Sequence, residues 1–265
     1  MNEQKLEEIK TTLIGSVLLR DKFPDAITRK NYITDLNKSN IDYIVSYEIE
    51  KNDILFIFFS GFVENFIGLG RVEQYKGNSL YFRDKIDSWY DKKLDDIIIV
   101  INAYIKFFDS KKIIMVGQSM GGYAALYCSA FIDNSVCLSF SPQTFNRNSS
   151  KIILSSSILR NDPPWATINL HDLLIKNANN SKKYIFIGKS EHEASTKRFW
   201  GDLLFAGYML DVPNVYLIIT DKNVHTVYGA LIFKSLLDIV PQNYDVFIND
   251  IVKSGKIFSE QLKYN

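Results

Sequence analysis

Cysteine is scarce in this chain. Cys128 and Cys137 are the only two among 265 residues. Both lie in apolar stretches, which excludes a disulfide scaffold and fits small core residues of a reducing compartment. An excess of one charge is also missing: 31 Lys and Arg stand against 30 Asp and Glu, a net charge of +1. No global field would gather phosphates or anionic lipids, so nucleic acid is not an expected partner. Long apolar runs are absent too, since Ile97 to Phe108 is interrupted by Asn102 and Lys106. No membrane span is expected. The segment Met1 to Phe23 carries acidic residues early, and its apolar stretch Leu13 to Leu19 lacks a small-residue cleavage site. It does not read as a signal peptide, and a cytoplasmic protein is expected. The chain has no paired-cysteine motif, no His-Glu-x-x-His helix and no acidic calcium loop, so no metal is expected. Gly68-Leu69-Gly70 continues into Val72 and Glu73 where a dinucleotide fingerprint needs a third glycine, so no such cofactor is expected either.

What is present is ordinary globular material, with 46% hydrophobic and 23% charged residues, enough for one sizeable core over residues 1–265. Short β-rich runs alternate with helical patterns. Strands are expected at Tyr43 to Ile49, Ile54 to Ser60, Ser79 to Phe82, Lys112 to Val116, Ser135 to Phe140, Lys183 to Ile187 and Val215 to Ile219. Helices are expected at Leu94 to Phe108, Gly121 to Phe131, Leu170 to Ala178, Ser195 to Met209 and Val227 to Ile239. The order predicts an α/β fold with a mainly parallel central sheet and helices on both faces. Continuous apolar runs such as Ile54 to Phe59 mark strands buried on both sides. Residues 143–182 break the rhythm with a polar run at Asn146 to Lys151 and Pro163-Pro164. Such a length between strands is expected to form a lid-like insertion over one end of the sheet.

The sharpest motif is Gly117-Gln118-Ser119-Met120-Gly121, entered from a β-rich run and followed by a helix of small residues. A nucleophile elbow needs that context: a serine on a tight strand-to-helix turn, with glycine on each flank where a Cβ would strike neighbouring backbone. The hydroxyl then stands at a helix N-terminus, where free N–H groups favour developing negative charge. Met120 N–H is the natural first donor to an oxyanion.

These residues resemble the α/β-hydrolase superfamily. The resemblance implies an oxyanion loop after an early strand, then the serine, an acid after a late strand, and a histidine after the last strand. Phe59-Ser60-Gly61-Phe62 resembles the oxyanion segment, with Ser60 where many members carry histidine. It implies Phe62 N–H as second donor, or Gly61 as the fallback. His225 follows the strand Val215 to Ile219 and takes the position of the catalytic imidazole. The strand ending at Gly188 leads to Glu191, at the spacing of the triad acid, with Glu193 as runner-up and Asp221 as a weaker third. Ser119, Glu191 and His225 thus fall in the superfamily's chain order. His192, beside the acids, and Gln118, beside the serine, are expected on the substrate side. His171 falls in the insertion and fits a surface or lid role.

Ser79 to Tyr90 ends a strand with Arg83-Asp84, expected at the rim of a carboxyl-edge crevice and able to bind a polar substrate. Trp89-Tyr90 reads either as packing aromatics or as a platform for sugar rings. This stretch is similar to α/β-hydrolase-like proteins encoded with bacterial surface-polysaccharide machinery, which implies carbohydrate O-acyl chemistry over long-chain lipid hydrolysis. The expected activity is a serine esterase on a short acyl ester of a polar or carbohydrate substrate. The alternatives are O-acyl transfer onto a surface polysaccharide and, from another class, a non-catalytic binding or assembly module that retains the elbow.

Overall fold

The structure, a computed structural model, describes residues 11–47, 53–61, 65–70, 77–85, 89–142, 144, 168–188, 206–207, 209–220 and 256–257. Nine strands among them form one sheet. They are β1 (Gly15–Leu19), β2 (Tyr43–Tyr47), β3 (Ile54–Phe59), β4 (Asn78–Phe82), β5 (Lys112–Gln118), β6 (Ser135–Phe140), β7 (Lys182–Gly188), β8 (Val215–Thr220) and β9 (Lys256–Ile257), in the order β1-β2-β4-β3-β5-β6-β7-β8-β9. The six from β4 to β8 in that order are mutually parallel. The outer strands reverse: β2 is antiparallel to β4, β1 follows β2, and β9 is antiparallel to β8.

Alternation along the central strands divides the interior in two. In β3, Leu55, Ile57 and Phe59 join one hydrophobic cluster while Ile54, Phe56 and Phe58 join the other. The first cluster takes in α2 (Leu94–Phe108), α3 (Met120–Ser129) and α4 (Leu170–Lys176); the second takes in Ile33 and Leu36 of α1 (Ala26–Lys38). Helices therefore cover both faces, as the unbroken apolar run of β3 requires, since a strand exposed on one side would alternate with polar residues. Each fully buried phenylalanine of this strand contributes about 1.5–3 kcal/mol of transfer free energy.

Helix α2 spans the residues its pattern predicts. It starts with Asp95 and Asp96 in the first turn, favourable to the helix dipole, and ends at Asp109 in the left-handed region. Three elements lie outside the sequence-based expectation, α1 and the edge strands β1 and β9. Helix α1 is opened by Asp25, whose carboxylate accepts the Thr28 N–H at 2.8 Å. Strand β1 pairs with β2 over five residues, an edge with Val17 partly exposed. Of the expected insertion only residue 144 and residues 168–182 are described, so the lid lies largely outside the described residues, as do the helix expected at Val227 to Ile239 and most of the one expected at Ser195 to Met209, of which residues 206, 207 and 209 are described. No helix among the described residues is long and apolar enough to cross a membrane.

Candidate active site

The order of the strands reverses direction at β3: the chain moves outward from it to β4 and then returns to add β5 on the other side. A crevice forms outside the carboxyl ends of strands at such a point. The ends of β3 and β5 meet there in register, with Phe59 opposite Gly117. Ser119 is the single residue between β5 and α3.

Ser119 carries the turn in its backbone, at φ 54° and ψ −119°. A non-glycine residue there stores about 1–3 kcal/mol and persists only where its surroundings hold it. Its N–H donates to the Phe140 carbonyl at 2.8 Å and its carbonyl accepts from the Tyr123 N–H at 3.1 Å, so one end belongs to the sheet and the other to the helix. The flanking glycines are required by contact. A Cβ on Gly117 would lie 2.0 Å from the Gly121 carbonyl oxygen, and one on Gly121 would lie 2.1 Å from that of Phe59. Real Cβ atoms do not approach backbone so closely.

The Ser119 side chain is half-buried and does not cap its helix. The N–H groups of Met120, Gly121 and Gly122 have no preceding helical carbonyl to bond, which leaves donors and the positive end of α3 beside the hydroxyl. Met120 is buried, so its contribution here is its backbone. Gln118, at the end of β5, is half-buried beside the serine. Opposite it lies Gly61, where a Cβ would stand 2.9 Å from the Gln118 carbonyl oxygen and 3.8 Å from Ser119 Cβ. The segment after β3 and the serine turn are thus in contact.

Ser60 explains how this segment turns without histidine. Its hydroxyl donates to the Asn65 carbonyl at 3.0 Å and accepts the Ile67 N–H at 2.9 Å, closing the loop on itself. Sequence reading misses this role because both partners are backbone.

Arg83 and Asp84 turn inward instead of lining a rim. Arg83 is 1% exposed. Its guanidinium donates to the carbonyls of Asn37 (2.6 Å), Ser39 (2.8 Å) and Ile41 (3.1 Å) and stacks 4.1 Å from the centroid of Phe66. The cation satisfies carbonyls at and just beyond the end of α1 and complements its dipole, so it serves the fold. Asp84 is buried and accepts the Tyr90 N–H at 3.0 Å. Trp89 and Tyr90 are buried as well, which makes them packing aromatics and not a sugar platform. His171, at the start of α4, is engaged by Asp211 at 2.9 Å and Asp172 at 3.2 Å. Phe62, Glu191, His192, Glu193, Asp221 and His225 lie outside the described residues. No cluster of three metal-ligating side chains occurs among the described residues.

A mainly parallel sheet whose strand order reverses at β3, helices on both faces and a strained serine between β5 and α3 together define the α/β-hydrolase fold. No protein-family model matches the chain, and no curated protein matches it. Among solved structures, the chain is similar to the capsule O-acetyltransferase of Neisseria meningitidis serogroup A, with 16% identity over 66% of this chain and 81% of that one and a TM-score of 0.47. It is similar to MenH from S. aureus at 15% identity, over 80% and 98% of the two chains, with a TM-score of 0.44. It is also similar to Est1E from Butyrivibrio proteoclasticus at 14% identity, over 77% and 90%, with a TM-score of 0.42.

Proposed function

We propose that the protein is a serine hydrolase that cleaves a short acyl ester of a polar, carbohydrate-like substrate through an acyl-Ser119 intermediate. The observation that carries this reading is the Ser119 turn: a left-handed serine at the carboxyl edge of the sheet, its hydroxyl at the N-terminus of α3 and its Cβ close to Gly61. Backbone strain of this kind is retained where it serves a function, and here it holds one hydroxyl out of both strand and helix.

In the proposed reaction His225 takes the Ser119 proton as Oγ bonds to the ester carbonyl carbon. The carbonyl oxygen becomes an oxyanion, held by the Met120 N–H and by the amide of Phe62 or Gly61. Each such donor is worth about 2.7–4 kcal/mol in the transition state. Collapse breaks the ester C–O bond, and the imidazolium returns its proton to the leaving alcohol. Water, deprotonated by the same imidazole, then releases the acid and restores Ser119. Glu191 holds the imidazole in one tautomer without taking its proton.

The test is release of p-nitrophenol from p-nitrophenyl acetate by the wild-type protein and by Ser119→Ala, with and without an oligosaccharide acceptor. Turnover in water that is lost in the variant supports hydrolysis. Release that is slow in water and rises with the acceptor assigns the same serine to O-acyl transfer. No serine-dependent release in either condition rejects the reading in favour of a non-catalytic module.

A further inference from the structure

Between β4 and α2 stand two consecutive bulky residues in the left-handed region, Trp89 at φ 60° and Tyr90 at φ 61°. Aromatic residues rarely adopt that conformation, so the surrounding structure must hold it. Asp84 does so by accepting the Tyr90 N–H at 3.0 Å, and the Tyr90 carbonyl accepts the Lys93 N–H at 2.7 Å. The Trp89 ring meets Tyr123 of α3 edge-on, with centroids 6.1 Å apart. The outcome is a fully buried Tyr90 ring set edge-on against Phe59, its phenol at the end of β3.

That phenol donates to the Ser60 carbonyl at 2.8 Å, with the Phe82 carbonyl further off at 3.3 Å. Ser60 is thereby held at every polar atom, because its N–H donates to the Phe82 carbonyl at 3.0 Å and its hydroxyl is engaged by Asn65 and Ile67. The Ser60 carbonyl and the Gly61 N–H belong to one trans peptide, and peptide planarity makes them point in opposite directions. Fixing the carbonyl fixes where the Gly61 N–H is aimed. Gly61 is the residue packed against Ser119. Burial, with the Asp84 charge adding to it, raises the Tyr90 phenol well above its ordinary value, which favours the protonated, donating form.

We propose that Tyr90 is the positioning residue of the oxyanion segment: by donating to the Ser60 carbonyl it sets the orientation of the Gly61 amide and makes it the donor to the reacting carbonyl at Ser119. The inference rests on the reading of Ser119 as nucleophile and names what aligns the donor opposite it. Sequence reading assigns Tyr90 to packing or sugar stacking; its hydrogen bond is visible only once β3, β4 and the 89–90 turn are brought together.

The experiment compares wild-type protein with Tyr90→Phe, which removes only the hydroxyl, on p-nitrophenyl acetate and on the corresponding thionoester. Sulfur accepts N–H hydrogen bonds more weakly than oxygen, so an aligned donor favours the oxoester. The variant is expected to lose about 10- to 100-fold in kcat with KM within about twofold, and its preference for oxoester over thionoester is expected to shrink. An oxo-to-thiono ratio equal to that of the wild type overturns the proposal, whatever the change in stability. Should Tyr90→Phe not fold, Asp84→Asn, which loosens the turn that holds Tyr90, is read the same way: a reduced ratio supports the proposal and an unchanged one overturns it. Fluorophosphonate labelling of the wild-type protein separates the two levels. Absence of label at Ser119 removes the nucleophile and the proposal with it, whereas labelling with an unchanged ratio removes only the role of Tyr90.

Discussion

A side chain on Gly121 would place its Cβ 2.1 Å from the Phe59 carbonyl oxygen, because α3 begins pressed against the end of β3. The same position would bring it to 2.7 Å from the Ser60 carbonyl oxygen, an atom already held by the Tyr90 phenol. Neither obstacle is a flexible side-chain end. Gly121→Ala is therefore expected to lower unfolding free energy by about 3 kcal/mol or more, at the upper end of overpacking effects. Denaturant melts check this, against Gly70→Ala as a control where a Cβ meets nothing within 4 Å. Equal stability of the two variants would contradict the packing described.

Arg83→Met is expected to destabilise without altering the chemistry. It leaves the carbonyls of Asn37, Ser39 and Ile41 without their buried donor, a loss of about 3 kcal/mol. Arg83→Lys keeps the charge but not the fork of donors, and is expected to fall between. Turnover per folded molecule should match the wild type in both. A raised KM with unchanged stability would instead return Arg83 to substrate binding.

Alkaline pH is expected to unfold the protein. Burial raises the phenols of Tyr81 and Tyr90, and pushes the Cys137 thiol up to about 12. These groups stay protonated in the fold while the unfolded chain ionises near its ordinary values, about 8.5 for cysteine and 10 for tyrosine. Their stabilisation is complete below those values and is lost as pH rises toward the folded ones, by about 1.4 kcal/mol per pH unit for each group. Lys183, held down by burial, acts in the opposite sense, but it is one group against several raised phenols and thiols, the others including Tyr104, Tyr123 and Cys128. Denaturant midpoints should hold from pH 7 to about 8 and fall steeply above about 10. A midpoint unchanged at about pH 11 would mean that these groups are not buried as described.

The parts of the fold legible in the sequence are those whose neighbours impose a pattern. Helix α2 could be read to the residue because Leu94, Ile97, Ile101, Tyr104 and Phe108 fall at helical spacing on its buried face. Strand β3 was legible because burial on both sides leaves no polar position. The Ser119 turn was legible because close backbone approach forces glycine at both flanks. Helix α1 was not, since it buries only Ile33 and Leu36 and its start rests on one capping aspartate. Losing α1 also hid the role of Arg83, whose partners are carbonyls at and just beyond that helix's end; a charged residue after a strand looks like a surface group until a helix end arrives beside it. Ser60 and Tyr90 escaped for a related reason, because their contacts are mostly backbone atoms, which carry no side-chain signature in the sequence.

The acid and base of the proposed triad rest on sequence position. Glu191→Gln is expected to reduce kcat by about 10⁴-fold, as loss of the tautomer-fixing carboxylate does in such triads. Glu193→Gln should leave it near wild type. The reverse order would transfer the acid role to Glu193, and equal small effects would direct the search to Asp221.

The central claim is that Ser119 is a nucleophile, and active-site labelling tests it most directly. Wild-type protein treated with a fluorophosphonate probe, digested and sequenced by mass spectrometry, should carry one adduct, on the peptide containing Ser119, and His225→Ala should slow its formation by orders of magnitude. A protein that stays unlabelled, or that takes the probe at another residue while Ser119 remains free, would contradict the account.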